Sequence, residues 1–394
     1  MDNIAIDRMN NPLHQLIALS MNLGSDNTLV QGSGGNTSTK TKDGSLMYIK
    51  ASGIALKDLN NEQGWRCLDV TEVLNILDDP ELSLLGVQER EVKIIQKLLH
   101  CCVDDLDTNL RPSVESHFHA MLNTVAIHLH PLAVAAFVCA KNGKAELFKL
   151  FSHKKEAILW VPYANPGYSV AKRMRQEVEI YQSKHTSKPS VIFLQKHGLV
   201  ISAETVSEAI NLVYEVVGIC KESIAQDSTQ RFETPEEKMI QDAVKIIYKC
   251  MQEFDCGKVT VRHFLDEEII RFISLDDAEA LAALPAVIPE ELAYSNGPAI
   301  WLEVCDMQSV TNAINRKLKE GKRVPTCFVV KNLGLFVSST ERAIPMIKEV
   351  ISASLFIRRC SRNFGGVDPL TKTEREFIEE WESESFRIKL AQGV

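Results

Sequence analysis

The run VAIHLHP, Val125 to Pro131, sets the tightest limit on what this chain can become. Its apolar character predicts a β-strand, and residues two apart on a strand project from one face, so His128 and His130 would present their imidazoles together. Pro131 brings no ladder donor and ends the strand, leaving the pair at its tip, where pockets of α/β folds open. A lone histidine on an apolar strand is usually a hydrogen-bonded core residue. Two with one facing, closed by proline, point instead to a ligand pair. Glu115 upstream and His197 downstream, in PSVESH and QKHG, each lie beside turn-forming residues. Three neutral imidazoles and a carboxylate suit zinc, and a carboxylate able to leave the metal can double as a base.

A chain of 394 residues exceeds one ordinary core and predicts two domains. With 45 % hydrophobic and 24 % charged residues, the composition is that of a globular enzyme rather than a disordered chain. A net charge of -8 offers no footprint for a polyphosphate, which argues against nucleic acid, while a small phosphorylated substrate needs only a local positive pocket. The first residues, MDNIAIDRMNNPLHQ, lack a basic region followed by an apolar core, and no later stretch has the length of a membrane span. The expectation is a cytoplasmic protein with no membrane partner. Ten cysteines are scattered without a C-x-x-C, which fits buried thiols in a reducing compartment better than a disulfide framework.

In chain order, PLHQLIALSMN from Pro12 reads as a helix ended by a left-handed Gly24, followed by a short strand at Leu29 and Val30. Ser33, Gly34, Gly35, Asn36, Thr37 and Ser38 then read as a turn between strands whose backbone donors could cradle a phosphate. A hairpin with strand Leu46 to Lys50 would bring a second small-residue turn, Ala51, Ser52 and Gly53, close to the first. Lys50 is then either a solvated strand lysine or a phosphate contact. Helices are expected over Asp69 to Leu77 and Val87 to Cys102, the second with a solvated charged face. Pro112 and Ser113 lead into a helix start whose free N–H groups favour an anion, and His119 lies one turn after Glu115, placed to orient it or merely to pack.

VIFLQKHGLVIS predicts two short strands reversing at His197 and Gly198, with Thr205 capping the following helix. A polar link from Ala225 ends in a capping box, Thr234 with Glu237, and the domain boundary is set there: residues 1–228 form a metal domain and 229–394 an α/β domain without ligands. The second part has one histidine, His263. Its segment CFVVKNLGLFVSST reads as a degenerate copy of the KHG unit, with Leu333 where His197 stands in the first. Phe377, Trp381 and Phe386 mark a docking stripe on a final helix, Thr371 to Leu390.

GGNTS, YIKASG, PSVE, HLHP and KHG occur in an order and spacing that resemble the class II aldolase/adducin family over Pro12 to Ala225. The longer chain, with PAVIPEELAYSNGP and GLFVSST, resembles the aldolase portion of bifunctional rhamnulose-phosphate aldolase/lactaldehyde dehydrogenases. The resemblance implies a three-layer α/β/α fold around a mostly antiparallel sheet, one Zn2+ per subunit (or another divalent cation), and a homotetramer. It makes His128, His130 and His197 the metal ligands and Glu115 a ligand that also serves as acid/base. Gly35, Asn36, Ser52, Gly53 and Ser113 match phosphate contacts. Val114 stands where the fuculose-phosphate aldolase pattern carries a second serine, and so removes one hydroxyl donor. No tyrosine matches the family's general acid.

The implied reaction is reversible retro-aldol cleavage of a ketose 1-phosphate to dihydroxyacetone phosphate and an aldehyde, in which a Lewis acid stabilises the enediolate. Two alternatives stand beside it: an adducin-like scaffold without metal, and an epimerase, dehydratase or decarboxylase using the same ligands. Zinc content separates the first and trapping of dihydroxyacetone phosphate the second.

Overall fold

A computed structural model describes residues 3–104, 109–154, 158–224, 232–254 and 259–381. They fall into two compact units, the first holding Met1–Val138 and Asn142–Ser223 and the second Ile224–Glu379, with Cys139–Lys141 in the second and Trp381 in the first. The expected boundary at 228/229 lies outside the described residues.

Seven strands form the sheet of the first unit: β1 (Asn36–Lys40), β2 (Leu46–Lys50), β3 (Trp65–Asp69), β4 (Val125–Leu129), β5 (Ile158–Val161), β6 (Val191–Leu194) and β7 (Gly198–Ala203). Their order is β3-β2-β1-β4-β7-β6-β5, antiparallel throughout except for β5 beside β6. All five residues of β4 are buried because helices cover both faces. Ala126 and His128 face the helices Ser116–Met121 and Tyr168–Gln182, with Phe118, Met174, Ile192 and Val200 packed around them. Each such side chain contributes about 1.5–3 kcal/mol by leaving water. Helices Pro12–Gly24, Leu132–Val138 and Val206–Ser223 form the other layer. This is the three-layer, mostly antiparallel architecture expected.

β1 carries small polar residues through a fully buried strand, and its alternation explains how. Asn36, Ser38 and Lys40 share the face toward helix Ser116–Met121. Asn36 reaches Glu115 just ahead of that helix, Ser38 bonds His119, and Lys40 donates to the carbonyls of Ala120, Leu122 and Asn123 at 3.0, 2.5 and 3.1 Å, where the helix dipole is negative. Burial, with Lys188 nearby, pulls the Lys40 ammonium down to about 7, partly opposed by Glu204. Lys40→Met removes the donor to the Ala120 and Asn123 carbonyls, leaving Leu122 O only Lys188 Nζ at 3.2 Å, and is expected to lower stability by about 2 kcal/mol or more, read from the urea midpoint.

The second unit has four strands, β8 (Thr260–Phe264), β9 (Ile300–Leu302), β10 (Cys327–Val330) and β11 (Gly334–Ser339), in the order β8-β11-β10-β9. β9 and β10 are parallel and the other pairs antiparallel. Order and directions repeat those of β4-β7-β6-β5. Lys196 (φ 54) and Asn332 (φ 60) hold left-handed backbone at the matching turns, two residues ahead of β7 and β11. Each turn leads through its second strand into an 18-residue helix, Val206–Ser223 or Ile344–Ser361. Among the described residues this sheet has no counterpart of β1-β2-β3. PAVIPEELAYSNGP serves the fold: fully buried Glu291 pairs with Arg358 at 2.9 Å, and Arg358 also donates to Ser354 and to the carbonyls of Leu281, Leu284 and Pro285.

Several local expectations are corrected. Gly24 is the last helical residue rather than a left-handed cap; it is glycine because a Cβ there would meet Lys57 N at 2.5 Å. Leu29 and Val30 form a buried turn, not a strand. Asn36 to Ser38 belong to β1, so the turn is confined to the residues before them. Lys50 is neither solvated nor free: buried, it donates to the carbonyls of Ser33, Ala51 and Ile54, tying the two small-residue turns together. On Val87–His100 the charged face is not wholly solvated, since buried Glu91 accepts from Trp381 Nε1. Thr234 caps nothing; the helix begins at Glu237 after Glu236. The last described helix is Lys372–Glu380, Ile378 is its buried residue, and Phe386 lies outside the described residues. All nine described cysteines are free, and among the described residues no helix is long and apolar enough to cross a membrane.

Candidate metal centre

β4 runs between β1 and β7, which sets Asn36 and Val200 on either side of His128. His130 follows the end of β4, and the turn from β6 to β7 lifts His197 beside it. The three imidazoles converge through their Nε2 atoms: His128 lies 3.1 Å from His130 and 3.2 Å from His197, and one ligand atom from each of the three falls within 4.8 Å of the others. Nitrogens at two corners of a tetrahedral zinc site with bonds of about 2.05 Å stand about 3.3 Å apart, so the spacing fits such an ion. His128 Nδ1 lies 3.1 Å from the Leu199 carbonyl, to which only an Nδ1–H can donate; its Nε2 lone pair therefore faces the cluster. Burial holds the His128 pKa well below the ordinary value, opposed by Glu115 and reinforced by His197 and His130. A neutral imidazole is the form that binds metal.

Glu115 stands beside two of the three, with Oε1 3.4 Å from His197 Nε2 and Oε2 3.6 Å from His128 Nε2. Its backbone N–H donates to Ser113 Oγ at 3.2 Å. The carboxylate is aimed by a chain of donors: Ser38 Oγ to His119 Nδ1, His119 Nε2 to Asn36 Oδ1, and Asn36 Nδ2 to Glu115 Oε2, the first at 2.7 Å and the last at 2.8 Å. His119 thus reaches Glu115 through Asn36 rather than directly. Burial pushes its pKa down to about 3, against Glu115 and with Lys40, so the ring stays neutral. His117 points elsewhere, with Nδ1 3.3 Å from the Val114 carbonyl.

The residues expected to hold phosphate come together from three segments. Ala51 bridges Pro112, Ser52 N–H donates to the Arg111 carbonyl at 2.8 Å, and Lys50 ties this pair to Ser33. Gly35 (φ 63) and Gly53 (φ 80) are left-handed, and a Cβ on Gly35 would meet the His128 carbonyl at 2.7 Å. Asn36 is engaged with Glu115, so its amide is an aiming group for the carboxylate in this arrangement. Ser52, Ser113 and Val114 are buried.

Ser38 and Lys50, expected in or beside a phosphate cradle, instead bond His119 and tie the two small-residue turns together, respectively, and Lys196 is a further residue that no local pattern marks. The reversal expected at His197 and Gly198 is present, between β6 and β7. Lys196 provides the left-handed turn, whereas Gly198 must be glycine because a Cβ would meet the Leu129 carbonyl at 2.4 Å and His130 Cδ2 at 2.8 Å. Gly198→Ala is therefore expected to displace both histidines and lower metal occupancy at least about tenfold with a modest change in Tm.

A histidine trio that could hold a metal ion, buried except for half-buried His130, stands beside an aimed carboxylate at the rim of a mostly antiparallel sheet in a protein of mixed α/β class. Residues 14–224 match the class II aldolase and adducin N-terminal domain, and the chain belongs to that family. An uncharacterized oxidoreductase of Bacillus subtilis (strain 168), YuxG, is 22 % identical over 96 % of this chain; the chain spans 58 % of that relative's length. Among solved structures, the N-terminal class II aldolase domain of a Thermoplasma acidophilum protein is 22 % identical, covering 55 % of this chain and 96 % of its own, with a TM-score of 0.45. YgbL of Klebsiella pneumoniae, described as a putative aldolase/epimerase/decarboxylase, is 18 % identical over 54 % of this chain and 87 % of its own, with a TM-score of 0.38.

Proposed function

We propose that the chain is a zinc-dependent class II aldolase that reversibly cleaves a ketose 1-phosphate to dihydroxyacetone phosphate and an aldehyde. The observation that carries this reading is the convergence of three Nε2 atoms on one point with Glu115 held against them by Asn36. His128, His130 and His197 would hold the ion, which, when bound, polarises the carbonyl and stabilises the charge of the enediolate. Glu115 moves the proton at carbon: in condensation it takes one from dihydroxyacetone phosphate while the new alkoxide takes one from solvent, and in cleavage the sugar hydroxyl gives its proton to solvent as the carbon-carbon bond breaks and Glu115 protonates the enediolate carbon. Asn36 and His119 keep the carboxylate in position. The Gly35, Ser52, Gly53 and Ser113 group receives the phosphate, with one hydroxyl fewer because of Val114.

The same reading takes the chain as the counterpart of the aldolase portion of a bifunctional enzyme, acting in the cytoplasm as a homotetramer. An epimerase or decarboxylase would use the same ligands, and an adducin-like scaffold would use none. Incubation with rhamnulose 1-phosphate or fuculose 1-phosphate, with released dihydroxyacetone phosphate trapped by a coupled reductase, tests the proposal. Release that stops on chelation and returns with Zn2+ supports it; a zinc-loaded protein that releases none from either sugar contradicts it.

A further inference from the structure

We infer that the corner of the second unit formed by His263, Leu265 and Leu333 is a vacated divalent-cation site: the position of the histidine trio in a second copy of the fold, with two of three ligands replaced by leucine. The inference goes beyond the proposed activity but rests on the first trio being metal ligands. Register carries it. In the first unit His128 lies opposite Val200, and in the second His263 lies opposite Phe336; Val200 and Phe336 are each the second residue after the glycine that opens the strand. His263 therefore stands where His128 does.

Two residues further on, Leu265 takes the place of His130. Each is followed by one residue and then a seven-residue helix, Leu132–Val138 in the first unit and Glu267–Ile273 in the second. Leu333, directly ahead of Gly334, takes the place of His197 ahead of Gly198. Trp160 and Trp301 also correspond, one residue before the ends of the parallel strands β5 and β9.

The space around the two glycines supports the equivalence residue by residue. A Cβ on Gly198 would meet Leu129 O, His130 Cδ2 and His128 Cε1 at 2.4, 2.8 and 3.2 Å; one on Gly334 would meet Phe264 O, Leu265 Cδ1 and His263 Nε2 at 2.6, 3.1 and 3.0 Å. With its co-ligands gone, His263 turns Nε2 to the Leu333 carbonyl at 2.7 Å. A 750 Å3 cavity lined by Trp301, Glu303, Lys331 and Asn332 reaches the corner at Leu333. Among the described residues the second sheet has no strands corresponding to β1-β2-β3, and none of those residues matches Asn36 or Ser38. A restored corner would bind metal without gaining the aimed carboxylate.

The test loads full-length wild type and the L265H/L333H variant with Co2+, dialyses both, and counts cobalt per chain by elemental analysis and visible absorption. The variant is expected to hold one more Co2+ per chain than wild type and to lose the extra ion when H263A is added. Because the result is a difference, it is separable from the first site: wild type without cobalt sinks the ligand reading of His128, His130 and His197 yet leaves the difference readable. A folded variant with wild-type cobalt, or extra cobalt that survives H263A, overturns the inference. Should the double variant not fold, L333H alone pairs one new imidazole with His263 and is expected to raise Ni2+ affinity at least about tenfold over wild type. No gain, or failure of both variants to fold, overturns it equally, because the corner is inferred to have room for imidazoles.

Discussion

Glu115→Gln is expected to keep the fold and the bound metal while losing turnover by about 10²–10⁴-fold, the range for removing a positioned acid/base. The amide has the volume of the carboxylate and can still face His128 and His197, so structural loss does not explain the effect. It cannot, however, accept and return a proton. It also places an NH2 group where Asn36 Nδ2 donates at 2.8 Å, unless the amide rotates to present its oxygen. Circular dichroism and zinc content should match wild type, and the defect should fall on kcat rather than KM. Unchanged turnover would remove Glu115 from the mechanism. Asn36→Ala, which frees the carboxylate without deleting it, is expected to give a smaller loss in the same parameter.

His197→Ala is expected to lower zinc occupancy at least about tenfold, whereas His263→Ala leaves it unchanged. Both histidines neighbour a turn between antiparallel strands, so the comparison controls for damage to a turn. They differ in company: His197 Nε2 faces His128 Nε2 at 3.2 Å and Glu115 at 3.4 Å, while His263 Nε2 donates to the Leu333 carbonyl at 2.7 Å. Losing that single bond from His263 is expected to cost about 1 kcal/mol of stability and no metal. Equal zinc content in the two variants would contradict the assignment of His197.

The parts of this site legible in the sequence are those whose signal is local. VAIHLHP states its strand by composition, its facing by spacing and its end by proline. The spatial meeting with His197 and Glu115 follows from strand order, which no window shows, and came instead from the ordered set of motifs. The start of β1 reads as turn because Gly34, Gly35, Asn36 and Ser38 crowd small turn-forming residues together; here the helix over the sheet supplies partners for Asn36, Ser38 and Lys40, and tertiary bonding overrides propensity. The reversal at His197 and Gly198 is legible in QKHG, whereas its left-handed residue is Lys196 and the glycine answers to the crowding of Leu129 O and His130. The repeat showed in sequence as one short match, while the replacement of His130 by Leu265 and the retention of His263 emerge only once strand register is known.

The most direct measurement is an anomalous difference map at the zinc edge from crystals of protein purified without chelator. The account expects one peak per chain, about 2.0–2.2 Å from the Nε2 atoms of His128, His130 and His197, with Glu115 as the carboxylate nearest to it and no peak at His263. A zinc-loaded crystal with the ion elsewhere, or with those three imidazoles turned away from it, would contradict the account.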